Sequence, residues 1–326
     1  MGYVAPTSFF DKRLDVKFAR GAYLVDRNND YYFDGISGIG VSSLGHDNPL
    51  VRLAAIEQLE CYSHVMVYGE DRLSPQEDYA ESLCTTLTMF QSPQIFFLNS
   101  GTEATELSLK MSRKTTGREK FVSLVGGFHG RTFGSMSVSQ NEKYTSGFGE
   151  MLDCVQIVPN VYEGDVYYQE IFSDAAGFIL ELVQGEAGAI ALDQEWVRRV
   201  TDIARESGCR IIIDEVQTGF MRTGELWVHE TYGIKPDMLN IGKAMGGGLP
   251  LSGVVAESSD FSALQTLAFS HVTTFGGNPV CCASGLAAFK QIVGMRQEVR
   301  SLSEQFDRWA ERVSKLGLLE SVSGLG

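Results

Sequence analysis

The chain has 326 residues, 44% hydrophobic and 21% charged, which is typical of a globular protein with one large domain and a smaller one. Its 41 acidic and 27 basic side chains give a net charge of −14, which argues against nucleic acid or an anionic membrane as the main partner. With no signal-peptide or membrane-spanning run, six cysteines without a C-x-x-C pair and five histidines without metal-ligand spacing, we expect a cytoplasmic protein with reduced thiols and no metal site.

The predicted elements begin with short antiparallel strands and turns over residues 21–49, followed by helical spacing of apolar residues over 50–59 and 75–87. Short apolar runs then alternate with helical stretches, which predicts a mostly parallel sheet with helices on both faces. Strands are predicted at 94–99, 120–125, 154–159, 177–182, 210–214, 237–241 and 252–256, and helices between them at 102–114 and 194–207. From residue 278 the chain is predicted to be almost wholly helical, with a last strand starting near residue 318.

The strand at 210–214 runs three isoleucines directly into two acids, Asp214 and Glu215. β-branched residues in a row suit a strand that is buried on both faces, as in a parallel sheet. Ligands of such sheets bind beyond the carboxyl ends of the strands, where Asp214 is expected to lie. Taken alone, an acid that caps the next turn explains the pattern as well.

Two further strand ends carry candidate binding groups. After the strand at 94–99, Ser100-Gly101-Thr102 opens a helix whose N–H groups and dipole would attract an anion, usually phosphate, although simple N-capping is the alternative. After the strand at 120–125, GGFHGRT presents Phe128, which could stack on a planar ligand, and Arg131, which could pair with a carboxylate. An ordinary surface turn is the alternative for this stretch.

Lys243 follows the strand at 237–241 and precedes three glycines. A lysine with a lowered pKa is the usual amine for Schiff bases, while a merely solvated lysine is the alternative. A phosphate site, a stacking ring, an acid and a lysine at four strand ends together predict pyridoxal phosphate, whose ring nitrogen an aspartate keeps protonated.

Seven ordered blocks resemble the class III pyridoxal-phosphate aminotransferases, the family of acetylornithine, ornithine and 4-aminobutyrate aminotransferases. The blocks are GAYLVDRNNDYYFDGISGIGVSSLGHDNP, FFLNSGTEATE, GGFHGRT, ILELVQGEAG, IIIDEVQTGFMRTG, IGKAMGGGLP and HVTTFGGNP. The resemblance implies the α/β architecture of fold-type-I pyridoxal-phosphate transferases, with a small domain made from both chain ends. It divides the chain into the N-terminal part of the small domain (1–47), the large cofactor-binding domain (48–277), and a linker helix with the start of an incomplete C-terminal small domain (278–326).

The resemblance also implies roles for individual residues. Lys243 would form the Schiff base and move the proton, and Asp214 would pair with the pyridine nitrogen. The other implied cofactor contacts are Gly101 and Thr102 to the phosphate, Phe128 and Val216 to the two ring faces, Gln217 to the phenolic oxygen, and Thr274 to the phosphate in the neighbouring subunit of a homodimer. The implied substrate contacts are Arg131, Thr273 and Glu186.

The implied reaction is ping-pong transamination from an ω-amino donor to a 2-oxo acid such as 2-oxoglutarate. Arg131 favours N-acetylornithine or ornithine, which would place the chain in arginine biosynthesis, while 4-aminobutyrate or putrescine transamination and an aminomutase reaction remain alternatives. Leu182 stands where the family usually has proline. The family also continues for dozens of residues beyond the final Gly-Leu-Gly, including an arginine that grips the α-carboxylate. A truncated cofactor-binding protein without turnover is therefore the alternative from a different class.

Overall fold

A computed structural model describes residue 5 and residues 14–67, 71–139, 141–316 and 322–325. A central seven-stranded sheet and a small antiparallel sheet near the N-terminus organise these residues. The strands are β1 (Val16–Arg20), β2 (Tyr23–Asp26), β3 (Tyr31–Phe33), β4 (Pro93–Leu98), β5 (Lys120–Leu124), β6 (Val155–Val158), β7 (Ala175–Leu180), β8 (Val183–Gln184), β9 (Ile190–Ala191), β10 (Arg210–Asp214), β11 (Met238–Ile241) and β12 (Ser252–Glu257).

The central sheet has the strand order β4-β12-β11-β10-β7-β5-β6. Strand β12 runs antiparallel to both of its neighbours, β4 and β11, whereas the remaining pairs are parallel. The predicted mostly parallel sheet is confirmed, and each predicted strand from 94–99 to 252–256 corresponds to a strand of this sheet. The predicted hairpin near the N-terminus is confirmed too, because β2 pairs antiparallel with β3 and also with β1.

Helices follow the strands as the apolar spacing predicted. Asn48 caps one predicted helix with its side chain, Ser100 and Glu103 form a capping box at another, and Asp193 caps a third. The helices are α1 (Ser37–Gly40), α2 (Pro49–Cys61), α3 (Ser74–Cys84), α4 (Gly101–Thr116), α5 (Phe133–Ser139), α6 (Glu142–Thr145), α7 (Asp165–Phe172), α8 (Gln194–Glu206), α9 (Val228–Tyr232), α10 (Ser258–Phe261), α11 (Pro279–Gly294) and α12 (Arg296–Lys315), with 3₁₀ turns at Lys243–Gly246 and Ser262–Thr266.

The isoleucine run of β10 explains why both faces of the sheet are covered. Ile211 and Ile213 point into a core shared with α3, α7, α8, α9 and α11, whereas Ile212 points into a second core shared with α4, α5 and α10. All three side chains are fully buried, and burial of such a side chain contributes about 1.5–3 kcal/mol. Because side chains alternate along a strand, β10 packs against helices on both of its faces. This packing fixes the position of its carboxyl end, where Asp214 lies.

The C-terminal part is helical through α11 and α12, as predicted. The strand predicted to start near residue 318 lies mostly outside the described residues, and 322–325 have no regular structure. The division into domains stays a prediction. Among the described helices, none combines the length and the apolar character that crossing a membrane requires.

Candidate active site

Three neighbouring strands bring polar side chains to one cavity at the carboxyl edge of the sheet. Asp214 is the last residue of β10, Glu181 directly follows β7, and Lys243 begins the 3₁₀ turn just beyond β11. Because β7, β10 and β11 are adjacent and parallel, these three residues come together. The cavity has a volume of about 410 Å³ and is lined by Ile36, Ile39, Gly40, Gly101, Thr102, Phe128, His129, Gly130, Glu181, Gly185, Glu186, Asp214, Val216, Gln217 and Lys243.

Asp214 is held by two hydrogen bonds from different segments. Its Oδ2 lies 2.8 Å from Nδ1 of His129, and its Oδ1 accepts a bond from the backbone N–H of Val216 at 3.1 Å. Since a carboxylate oxygen accepts, Nδ1 of His129 carries the proton, and Nε2 is left buried without a hydrogen-bond partner among the described residues. The aspartate is only 5% exposed, so its orientation is fixed before any ligand arrives.

Glu181 is a third carboxyl group in the cavity, and sequence reasoning missed it. The sheet register pairs Leu180 with Ile213, which places Glu181 beside Asp214 on the next strand. Its Oε2 accepts the backbone N–H of Phe128 at 2.9 Å, and its Oε1 accepts that of Gly185 at 3.4 Å. Burial raises the pKa of Glu181 to about 7, with Asp214 acting in the same direction and His129 against it.

Lys243 is partly buried in a backbone conformation that side chains rarely adopt, with φ at +47°. Burial lowers the pKa of its amine, and the charge of Arg222 adds to that, while Asp214, Glu181 and Glu186 act in the opposite direction. A lowered pKa makes the neutral, nucleophilic amine more accessible near neutral pH, which is what Schiff-base chemistry requires.

The start of α4 forms one wall of the cavity. Ser100 and Glu103 cap the helix, and Thr102 Oγ lies 2.6 Å from Ser135 Oγ. Glycines keep this wall open: a Cβ at Gly101 would lie 2.8 Å from Val216 Cγ1, and one at Gly130 would lie 2.4 Å from Thr102 Oγ1. Exposed N–H groups, hydroxyls and missing side chains at a 16-residue helix start are suited to a phosphate group.

The structure brings most of the predicted site residues together, but not all of them. Lys243, Asp214, Gly101, Thr102, Phe128, Val216, Gln217 and Glu186 line the cavity. Arg131 does not line it and lies exposed nearby, with its guanidinium 3.6 Å from the ring centre of Tyr144. Thr273 and Thr274 lie outside as well. Thr273 Oγ accepts a bond from Asn99 at 3.0 Å, and Thr274 is exposed.

Three side chains that matter for the site were not predicted: His129 and Glu181, which line the cavity, and Tyr144, which contacts Phe128 beside it. His129 stood inside the recognised GGFHGRT stretch, and its position one residue after Phe128 was a usable signal. Glu181 stood at the end of a predicted strand, as Asp214 does, so the same rule of strand ends could have found it. Tyr144 comes from α6, which carries no motif, and no local pattern links it to the cavity.

The groups in the cavity fit pyridoxal phosphate. The start of α4 suits its phosphate, Phe128 and Val216 offer apolar surface, Asp214 offers a fixed acid, and Lys243 offers an amine with a lowered pKa. These are the binding, charge-pairing and covalent groups that this cofactor requires from a protein.

Comparison with known proteins agrees with this fit. The family profile described as "Aminotransferase class-III" matches residues 8–324. The acetylornithine aminotransferase of Aquifex aeolicus is 35% identical over 94% of this chain and 80% of its own length. A protein of Sulfurisphaera tokodaii named [LysW]-aminoadipate semialdehyde/glutamate semialdehyde transaminase is 36% identical over 97% of this chain and 81% of its own.

Solved structures show the same fold. An ornithine aminotransferase of Toxoplasma gondii superposes with a TM-score of 0.88 at 24% identity, covering 99% of this chain and 78% of that one. An amine transaminase from an uncultivated Pseudomonas species, solved with pyridoxal phosphate bound, superposes with a TM-score of 0.89 at 23% identity, covering 100% and 82%. The profile match and the curated relatives establish that this chain belongs to the class III aminotransferases, enzymes that use pyridoxal phosphate.

Proposed function

We propose that this aminotransferase takes the amino group of N-acetylornithine or ornithine and passes it to 2-oxoglutarate by a ping-pong mechanism. The observation that carries the proposal is one cavity that combines the amine of Lys243, the buried acids Asp214 and Glu181, and the open start of α4. Arg131 lies nearby, and its guanidinium has no ion-pair partner in the part of the chain that the structure describes. The acetylornithine aminotransferases among the relatives support this choice of donor.

Lys243 and Asp214 have the central roles in this proposal. Pyridoxal phosphate, when bound, supplies a carbonyl that takes up the amine and a cationic ring that delocalises the electrons of the substrate carbon. Lys243 binds the cofactor and then moves a proton to and from the substrate carbon, for which its lowered amine pKa is suited. Asp214 would accept a hydrogen bond from the protonated ring nitrogen and stabilise its charge, and the bond from His129 holds the carboxylate in a fixed orientation. Gln217, which also lines the cavity, would bind the phenolic oxygen.

Donor recognition is assigned to Glu186, which lines the cavity, and to Arg131 and Thr273, which lie outside it. Arg131 pairs with a carboxylate of the donor, since a guanidinium and a carboxylate form a bidentate pair. Thr273 and Glu186 complete the contact with substrate. These assignments predict that a donor without a carboxylate, such as putrescine, reacts more slowly than ornithine.

The first experiment separates the two half-reactions. The purified chain is loaded with pyridoxal phosphate and mixed, without acceptor, with acetylornithine, ornithine, 4-aminobutyrate or putrescine while the visible band of the lysine-bound cofactor is followed. We expect acetylornithine or ornithine to abolish the band. Adding 2-oxoglutarate should then restore the band and produce glutamate. Lys243→Ala should abolish both steps, whereas Lys290→Ala, which removes an exposed lysine of α11, should leave them unchanged.

Two outcomes would contradict the proposal. A band that no donor alters would mean that the chain binds the cofactor without turnover. A band that responds to putrescine or 4-aminobutyrate, but to neither ornithine nor acetylornithine, would mean that the chain uses a different class of amino donor.

We also propose that the active form is a homodimer in which Thr274 reaches the cofactor phosphate of the partner subunit. The exposure of Thr274 outside its own cavity supports this role. Loss of one hydrogen bond to a charged phosphate should weaken cofactor binding about tenfold or more in Thr274→Ala.

Complementation tests the sharing of sites. A purified heterodimer of one Lys243→Ala chain and one Thr274→Ala chain contains one intact site if Thr274 serves the partner, and none if it serves its own chain. We therefore expect about half of the wild-type activity per dimer, a value that follows from one intact site in two. A heterodimer no more active than the Thr274→Ala homodimer, or a monomer in sedimentation velocity, would contradict the proposal.

A further inference from the structure

We propose that Tyr144 is a positioning residue that prepares Arg131 to bind a carboxylate of the donor. Its ring stacks under the guanidinium of Arg131 while its hydroxyl donates a hydrogen bond to Glu186. This inference rests on the proposed function, because it assigns Arg131 to the donor. Tyr144 lies on α6 and is buried. It contacts three of the predicted site residues, which come from two other segments of the chain.

The face of the tyrosine ring carries the guanidinium. The Cζ of Arg131 lies 3.6 Å from the ring centre, closer than the 5.5 Å that separates it from the ring of Phe128. In this arrangement the flat face of the guanidinium makes a cation–π contact with the ring. Its N–H groups point outward in its plane and stay free to bind a ligand. Among the described residues, the guanidinium has no hydrogen-bond or ion-pair partner, so its bidentate edge is available to a ligand.

The hydroxyl of the same ring holds a carboxylate. Tyr144 donates its O–H to Oε2 of Glu186 at 2.8 Å. This bond is the main cause of the raised pKa of Tyr144, so the phenol stays protonated and remains a donor. Among the described residues, Glu186 and Arg131 form no ion pair with each other, and Tyr144 contacts both, the carboxylate through its hydroxyl and the guanidinium through its ring face.

The third contact links this arrangement to the cavity. The rings of Tyr144 and Phe128 meet edge to face with their centres 5.5 Å apart, and Phe128 lines the cavity. Lys143 also lies near the ring, with Nζ 5.4 Å from its centre, and adds a second positive charge close to it. The chemistry recognised here is therefore a carboxylate on the donor or acceptor, bound edge-on by Arg131 at the mouth of the cavity.

Two substitutions separate the two functions of the ring. Tyr144→Phe keeps the stacking surface and removes the bond to Glu186, whereas Tyr144→Leu removes both. Tyr162→Phe is the matched control, because Tyr162 also donates its hydroxyl to a carboxylate, that of Asp165, on an exposed surface away from the cavity.

The test uses the cofactor-loaded enzyme and measures KM and kcat for ornithine and for putrescine. The dissociation constants of glutarate, by calorimetry, and of pyridoxal phosphate are measured as well. Losing a cation–π contact to an exposed arginine weakens binding by about two- to fivefold, so Tyr144→Leu should raise the dissociation constant of glutarate and the ornithine KM by that factor. Tyr144→Phe should show a smaller increase of the same kind. Neither variant should alter kcat or the putrescine KM by comparable factors, and Tyr162→Phe should alter nothing.

The double variant Arg131→Gln with Tyr144→Leu decides whether the tyrosine acts through the arginine. If it does, the double variant binds glutarate no more weakly than Arg131→Gln alone. Three outcomes would overturn the inference. They are additive losses of glutarate affinity in the double variant, unchanged glutarate binding in both Tyr144 variants, and a loss of cofactor affinity equal to the loss of glutarate affinity. Glutarate binding needs no turnover. A chain that fails with every donor yet shows these binding differences would contradict the proposed function and leave the role of Tyr144 intact.

Discussion

Replacing Glu181 by glutamine should change how the stability of the cofactor-free protein depends on pH. The folded-state pKa of Glu181 is raised from 4.5 to about 7, mainly by burial, and the side chain is 5% exposed. A carboxyl group whose pKa is raised by folding stabilises the protein fully below its unfolded pKa. That contribution is lost as the pH rises through the folded pKa. The relevant window therefore runs from about pH 4.5 to slightly above pH 7, with stability falling as the pH increases.

The magnitude follows from the gap between the two pKa values. Each unit of separation corresponds to about 1.4 kcal/mol, so a gap from 4.5 to about 7 amounts to about 3 kcal/mol in full. Between pH 5 and pH 8, about 2 to 3 kcal/mol of this change is covered. Glutamine does not titrate, so the free energy of unfolding of Glu181→Gln should lack this component. The variant also loses one of the two acceptors for Phe128 and Gly185, which lowers its stability by an amount independent of pH.

The assay is urea unfolding of the two proteins at half-unit steps from pH 5 to pH 8, with the difference in free energy plotted against pH. The difference should move in favour of Glu181→Gln as the pH rises. Glu170→Gln, an exposed carboxylate of α7, is the control and should give a flat difference. Parallel profiles for the wild type and Glu181→Gln would refute the reasoning, because they would mean that Glu181 ionises in the folded state as it does in the unfolded chain.

Two further substitutions test one close contact at the cavity and one buried hydrogen-bond network away from it. Gly130→Ala should lower the melting temperature and weaken pyridoxal phosphate binding, because the new Cβ would lie 2.4 Å from Oγ1 of Thr102 at a φ of +130°. The control Gly149→Ala also has a positive φ but meets no atom within 4 Å, so it should cost only about 1 kcal/mol of backbone strain and leave cofactor binding unchanged. Glu215→Ala should destabilise the fold by about 3 kcal/mol or more, because it leaves buried His229 and two backbone N–H groups without their acceptor. Equal denaturation midpoints for Glu215→Ala and the wild type would contradict that assignment.

The sheet could be predicted closely because its strands are short apolar runs set off by polar turns. The predicted strand at 210–214 agrees with β10 at both ends, since charged residues stand at each limit of the isoleucine run. Strand β12 shows that such patterns do not predict the direction of a strand. Its composition predicts a strand, but nothing in its sequence indicates that it runs antiparallel between β4 and β11. Direction depends on how the chain returns across the sheet, which is a property of the whole fold.

The residues of the candidate site likewise fall into those that local patterns predict and those that depend on the whole fold. Residues at the ends of predicted strands, such as Asp214, could be placed from the rule that parallel strands end at one edge. Tyr144 could not be placed, because it reaches Glu186 and Arg131 through tertiary packing of a four-residue helix. Its contacts with those residues span segments that are distant in the chain, and local periodicity carries no information about such pairs.

The two adjacent acids at the end of β10 show why geometry, rather than residue type, identifies the functional group. Side chains alternate across a strand, so Asp214 and Glu215 leave on opposite sides. Each meets a histidine Nδ1 at almost the same distance, His129 at 2.8 Å and His229 at 2.7 Å. Glu215 also accepts two backbone N–H groups at the start of α9 and is fully buried, so its acceptors are used within the fold. Asp214 lines the cavity with fewer bonds and keeps acceptor capacity for a ligand, which makes it the acid that chemistry can use.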